Sequence, residues 1–299
     1  MLIQQLINGL TLGAVYALIA LGYTMVYGIL GLINFAHGEI YMIGAYLGII
    51  YLGLFTAAGL TQSHLLISLF FVFVLSALTC AGYGMTLERI AYRPLRKAHR
   101  LSPLISAIGM SLFLQNYVML SQGSSDKVFP HLFPAAPVTN ASFQISGIQL
   151  FIMGASVLLM GALHLFVRKT RLGKAMRATS QDKTMAVLCG IPIDRVIGLT
   201  FIIGSALAAA AGVMVVMYYG VTNFFIGYVA GIKAFTAAVL GGIGNIPGAM
   251  IGGILLGLVE SMGAAYISSA YKDGFSFIIL ILVLIFRPTG LLGEKGSDR

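Results

Sequence analysis

TRLGKAMRATSQDKTMAVLCGIP, residues 170–192, is a polar and basic island between two long apolar runs. In a chain that crosses a membrane, such an island belongs to the water phase, and its positive charge assigns it to the cytosol. Thr179 and Asp182 stand in the T-x-x-D spacing of a capping box, in which the threonine oxygen accepts the third helical N–H and the carboxylate reaches back. The spacing predicts a short helix from about Ser180 to Cys189. Gly190, in the left-handed conformation, and Pro192, which cannot continue a helix, would end it. About nine residues are too few to hold a helix alone in water, so something must pack on them. Met185, Leu188 and Cys189 share one face at the i, i+3, i+4 spacing and offer a narrow apolar edge. Caps and periodicity alone suit a partner-docking helix and an ordinary loop with one helical turn equally well.

Outward from the island the chain is apolar. Its 299 residues are 59% hydrophobic and 9% charged, with a mean hydropathy of +0.95, which excludes an ordinary soluble domain. It reads as an all-α, polytopic integral membrane protein. A crossing takes about 20 apolar residues, so the length admits about eight to nine transmembrane helices, some interrupted. These form one transmembrane domain over residues 1–299, with no room for a separate soluble domain. The start, MLIQQLINGL, lacks the basic region of a secretory signal, so the first helix is expected to be retained. Cys80 and Cys189 have neither metal-ligand spacing nor a disulfide framework, and no metal or cofactor is expected. The net charge of +9 could suggest nucleic acid, but the positions of the charges mark topology instead.

Glu39 is the only charged side chain between Leu2 and Leu60, where two spans are joined by GLINFAHGE, Gly31 to Glu39. A third span, Leu65 to Met85, leads to a loop with Arg89, Arg93, Arg96, Lys97 and Arg100. The fourth runs from Leu101 to Leu120. The loop Ser121 to Gly147 carries Pro130, Pro134 and Pro137, and its single basic residue, Lys127, is balanced by Asp126, so it should face outward. Asn140-Ala141-Ser142 within it matches a glycosylation sequon too short to carry weight. A fifth span, Ile148 to Val167, returns to the island, where Arg168 to Arg195 form the second strongly basic loop. A sixth, Val196 to Tyr219, precedes an irregular region from Gly227 to Ile267. Its first half holds Lys233, and its second holds Glu260 and the small residues Gly248, Ala249, Gly252, Gly253 and Gly257, which permit close helix approach. The last run, Phe275 to Phe286, is about 18 Å long as a helix, too short for a ~30 Å core. It should extend back through Lys272 and Asp273. Arg287, Lys295 and Arg299 then put the C-terminus in the cytosol, and the N-terminus faces outward if the segment from Gly227 to Leu240 crosses fully.

Two Gly-interrupted stretches, GLIN at Gly31 to Asn34 and GIGN at Gly242 to Asn245, are the kind of break that marks a transport site. An intramembrane carboxylate costs up to about 2.5–3.5 kcal/mol, so Glu39 either lines a polar path with Asn34 and His37 or sits at a hydrated surface. Lys233 and Glu260 could pair across the hairpin, or Lys233 could snorkel to the interface. These residues, with Asn245, are the candidate translocation residues. No H-E-x-x-H, G-x-S-x-G or Cys-His arrangement occurs, and no G-x-x-x-x-G-K-[ST] occurs either. Any ATP hydrolysis would fall to another chain.

Three stretches carry a family resemblance: GYTMVYGILGLINFAHGEIYMIGAY, GKAMRATSQDKTMAVLCGI and KAFTAAVLGGIGNIPGAMIGGILLGLVE. On these the chain resembles the membrane-spanning permease subunits of bacterial branched-chain amino acid ABC importers, and is most similar to the H-type subunit. The second stretch resembles the coupling loop, at about residues 168–195, that docks on an ATPase. That resemblance implies an ATPase-coupling role for Gly173, Arg177, Thr179, Asp182, Met185, Leu188 and Gly190. It further implies a multi-pass location in the bacterial inner membrane, a second homologous permease, two ATP-binding cassette subunits and a periplasmic protein delivering leucine, isoleucine or valine. Related permeases carry urea, amides or other amino acids. A secondary transporter would also use broken helices, but its capped loop helix would lack a partner. A membrane enzyme built on His37 and Glu39 would need more convergent polar groups.

Overall fold

The computed structural model describes residues 2–96, 98–99, 101–130, 138–140 and 143–293. Lys97, Arg100, Pro134, Pro137, two residues of the sequon, Lys295 and Arg299 lie outside the described residues. In chain order the helices are α1 (Leu2–Leu30), α2 (His37–Ala57), the single turn α3 (Leu60–Ser63), α4 (Leu65–Leu87), α5 (Leu101–Gln122), α6 (Gly147–Lys169), α7 (Arg171–Gln181), α8 (Lys183–Leu188), α9 (Ile193–Tyr219), α10 (Ile226–Gly241), α11 (Ile246–Tyr266) and α12 (Lys272–Phe286). Short strands β1 (Lys127–Val128) and β4 (Val221–Thr222) pair antiparallel, as do β2 (Val138–Asn140) and β3 (Phe143–Ile145).

Among the described residues eight helices are long and apolar enough to cross a membrane, and α10 is a shorter apolar one. Apart from its ends, a helix satisfies its backbone groups within its own segment, which is why apolar runs of this length take that form. As expected, α12 starts at Lys272, after a 3₁₀ turn over Ser269–Tyr271. The two glycine breaks separate whole helices: Gly31 (φ +70°) ends α1, and Gly242 (φ +106°) and Gly244 (φ +94°) separate α10 from α11. Beyond Leu87, α4 passes through a π-helical turn, Glu88–Tyr92, and a 3₁₀ turn, Arg93–Leu95. Pro94, which lacks an N–H, prevents a regular continuation.

The chain divides into two compact units, each discontinuous in sequence: Met1–Gly31 with Ala135–Ile193 and Ile232–Arg299, and Leu32–Pro134 with Asp194–Gly231. In the first unit the small residues of α11 serve two faces. Gly253 and Gly257 lie against the backbone of Ala17 and Gly13 on α1, and Gly248 and Gly252 lie against Gly241 and Ala237 on α10. A Cβ at Gly13 would stand 2.7 Å from Ile254 Cα, so the helices approach at backbone distance because no side chain intervenes. At the start of α6, the Ser146 hydroxyl accepts from Ile148 N at 3.3 Å and Gln149 Oε1 accepts from Ser146 N at 3.0 Å.

In the second unit α2 meets α9 in the same manner, since a Cβ at Gly44 would lie 2.5 Å from Ala209 Cα. Cys80 of α4 donates its thiol to the Ile40 carbonyl at 3.7 Å, and the Tyr51 and Thr79 hydroxyls share a 2.8 Å hydrogen bond. Past α4, Arg93 and Arg96 reach Asp194 at 2.8 and 2.6 Å, and Arg96 also pairs with Glu88. These ion pairs tie the basic turn to the first residues of α9.

Candidate translocation and coupling sites

The polar island forms two helices, and the expected cap is corrected. Thr179 is buried inside α7, where its hydroxyl donates to the Ala175 carbonyl at 2.8 Å, so it caps nothing. Asp182 is the cap: its extended backbone leaves α7, and its Oδ1 accepts from Thr184 N at 2.7 Å and Met185 N at 3.0 Å. Register decides this. Thr170 caps α7, accepting from Gly173 N at 3.0 Å, and a Cβ at Gly173 would collide with the backbone of Phe166 and Val167. Once α7 is fixed there, Thr179 falls on its inner face, and the next residue with an acceptor at the helix end is Asp182.

The second helix, α8, has six residues instead of the nine or so expected. Its end is as expected: Gly190 adopts φ +78°, its N–H reaches the Val187 carbonyl, and Ile191 N reaches Ala186 O at 3.0 Å. Ala186 turns inward, whereas Met185 (60%), Val187 (56%) and Leu188 (74%) are exposed. An apolar edge therefore exists on a helix too short to be stable by itself. Val187 belongs to it although the helical spacing did not single it out.

Asn34, His37 and Glu39 come together in the second unit, all buried. Asn34 ends the glycine break, accepting at Oδ1 from the Tyr92 hydroxyl at 2.9 Å, while its carbonyl accepts from His37 N at 3.0 Å. Glu39 lies in the first turn of α2 with no solvent exposure. Its Oε1 accepts from the Ser111 hydroxyl at 3.0 Å. Its Oε2 has no hydrogen-bond partner among the described residues and faces Gly227, where a Cβ would stand 2.5 Å away. Only glycine fits at that point of α10. Nothing in the primary pattern pointed to Ser111 or Gly227, because both sit in apolar stretches far from Glu39.

Lys233 and Glu260 lie in the first unit and do pair, at 2.8 Å. Lys233 also reaches Asp273 at 2.6 Å and lies 5.6 Å above the Tyr16 ring. The Tyr16 hydroxyl donates to Glu260 at 3.1 Å, and Lys272 stands 3.3 Å from the same carboxylate. Two cations and two carboxylates thus balance across α10, α11 and α12, with α1 contributing the tyrosine. Snorkelling is not what Lys233 does. Asp273 and Lys272 were legible only as the polar start of α12.

Asn245 caps α11, accepting from Gly248 N at 2.9 Å, and its amide donates to the Leu292 carbonyl at 2.8 Å. It also lines a cleft of about 950 Å3 in the first unit, together with Gly31, Arg168 and Arg177. Both glycine breaks border this cleft, since Gly28 approaches Gly244 there. Among the described residues no group of three or more His, Cys, Asp or Glu side chains could hold a metal ion.

Residues 5–284 match the family described as branched-chain amino acid transport system / permease component. The high-affinity branched-chain amino acid transport system permease protein LivH of Escherichia coli K12 is 53% identical over 99% of this chain and 97% of its own length. BraD of Pseudomonas aeruginosa, named likewise, is 54% identical with the same coverage. The autoinducer 2 import system permease protein LsrD of Escherichia coli SMS-3-5 is 25% identical over 64% of this chain and 61% of its own. No solved structure matches the chain. With eight membrane-length helices among the described residues, a family match over residues 5–284 and relatives matched over 97% of their own length, the chain belongs to the family of permease components of branched-chain amino acid transport systems.

Proposed function

We propose that this chain is one of two homologous permease chains in an ATP-driven importer of leucine, isoleucine and valine, with both of its units serving one transmembrane domain. The observation that carries this reading is α8: a six-residue helix, capped by Asp182, stopped by Gly190 and presenting Met185, Val187 and Leu188 to solvent. A helix that short with an outward apolar edge calls for a partner surface, and a secondary transporter supplies none. The partner is an ATP-binding cassette subunit, one of two. A periplasmic binding protein delivers the cargo. The protein is multi-pass in the inner membrane, with both strongly basic loops and the C-terminus in the cytosol.

On this reading Asn34, His37 and Glu39 border the translocation path, and the free carboxylate oxygen of Glu39 gives the path an acceptor for a proton or an ammonium group. Lys233 and Glu260 shape it by holding α10 to α11, and Asn245 holds the end of the second glycine break. The cargo follows the relatives' names: LivH and BraD are named for branched-chain amino acids, and the more distant LsrD for autoinducer 2.

The test is pull-down of the tagged chain in mild detergent with quantification of the ATPase chain, combined with uptake of labelled leucine, isoleucine and valine. Retained ATPase and saturable uptake of all three are expected. Retained ATPase with uptake of an amide instead would keep the machine and replace the cargo. Absence of any ATPase would overturn the reading.

A further inference from the structure

The cleft of about 950 Å3 in the first unit has a chemistry that import does not account for. Its polar rim includes Tyr27, His164, Arg168, Arg177, Gln181 and Asn245, and none of the described residues lining it is acidic. The nearest carboxylate in sequence, Asp182, is engaged in capping α8. Apolar side chains, Val167 and Ile246 among them, form the floor. The floor continues into a smaller pocket of about 60 Å3 walled by Met25, Ile29 and Met176.

Its depth follows from the elements that build it. Tyr27 to Gly31 are the last residues of α1 and the break after it, His164 to Arg168 close α6, and Ile246 opens α11. All three are ends of membrane-length helices, so the cleft lies at the boundary between lipid and water. The start of α11 brings the positive end of a helix dipole to it. The carbonyl of Leu30, at the negative end of α1, is covered by Lys183 Nζ at 3.1 Å. The end of α6 also brings a negative dipole end, so the positive charge of the cleft rests on the Arg168 and Arg177 side chains.

We propose that this cleft binds the headgroup of an anionic phospholipid from the leaflet that the basic loops face, its phosphate between Arg168 and Arg177 and the root of one acyl chain on the Val167 and Ile246 floor. Guanidinium groups suit phosphate oxygens through paired N–H donors. Basic pockets between membrane helices select anionic headgroups on charge. An amphipathic cleft at the boundary fits a molecule that is charged at one end and apolar at the other, which a free anion is not.

The test is native mass spectrometry of the whole detergent-purified complex, titrated with phosphatidylglycerol and, separately, with phosphatidylcholine of the same acyl chains. Phosphatidylglycerol should be retained and phosphatidylcholine released. Each of Arg168→Gln and Arg177→Gln should weaken retention about fivefold, the worth of one basic side chain near an anionic surface. The pair should weaken it by about 25-fold, and Arg168→Lys should keep most of it. Equal retention of both lipids, or undiminished phosphatidylglycerol binding in the double glutamine variant, would overturn the proposal. So would inorganic phosphate binding the lipid-free complex as tightly as the lipid does, since the site would then be one for the free anion.

Discussion

Among the described residues Glu39 has one hydrogen-bond donor, Ser111 at 3.0 Å, and a second oxygen facing Gly227. Hydrogen bonds to a charged group contribute about 1.5–3 kcal/mol. If the carboxylate serves the transported solute, Glu39→Gln should lower uptake roughly ten- to a hundredfold while insertion and ATPase retention stay normal. Uptake at the wild-type rate would remove Glu39 from the path. Lys233 poses the opposite case, a charge fully engaged. Lys233→Met leaves Glu260 buried, with Tyr16 and the more distant Lys272 as its partners. Breaking a buried pair costs about 3–5 kcal/mol, and Lys272 should reduce that. The complex should melt earlier, and Lys233→Met with Glu260→Gln should recover most of the loss. If the double variant melts no later than the single one, charge pairing is not what Lys233 contributes. Both residues were visible in the primary structure as lone charges in apolar runs. Glu260 was legible as a possible partner of Lys233, whereas Ser111, Gly227 and Tyr16 were not, because they carry no mark until the chain brings them near.

The α7–α8 pair makes a prediction at the scale of elements. Removing an N-cap costs about 0.5–2 kcal/mol, and the cap is Asp182. Asp182→Ala should therefore weaken ATPase retention measurably in a pull-down. Thr179→Val, which exchanges only a hydroxyl bonded to its own helix for a methyl, should change it little. The reverse order would restore Thr179 as the cap. A stronger perturbation comes from Met185→Asp or Leu188→Asp, which would place a carboxylate against the apolar surface proposed to receive this edge, at a cost of several kcal/mol. Normal insertion and a normal companion permease, with loss of both ATPase and uptake, is the expected pattern. If both variants keep the ATPase and transport intact, α8 does not couple the two. The presence of this helix and its glycine stop were legible because they rest on local backbone preferences. That Asp182 and not Thr179 is the cap was not, since it depends on how Thr170 and Gly173 anchor α7 against the end of α6.

For the molecule as a whole, the charge bias predicts that the two basic loops lie on one side and the loop after α5 on the other. Arg96 is a poor reporter, because it is ion-paired with Glu88 and Asp194. Cysteines at Ala98, Gln181 and Ser125, all exposed, serve better in a Cys189→Ser background, as Cys189 is exposed and Cys80 buried. In intact cells an impermeant thiol reagent should label the Ser125 position and spare the other two. Labelling of Ala98 or Gln181 from outside would invert the orientation. The amino-acid order alone determined the spans, the extension of the last helix through Lys272 and the two breaks at Gly31 and Gly242, because a membrane helix satisfies its backbone within itself and needs no distant partner. Only the tertiary structure decided the division into two units, the joining of Lys233, Glu260, Tyr16 and Asp273, and the seating of Glu39 against Gly227. Helical periodicity states which residues share a face. Which face meets which is set by glycine-permitted backbone approach between segments hundreds of residues apart, as where Gly257 meets Gly13.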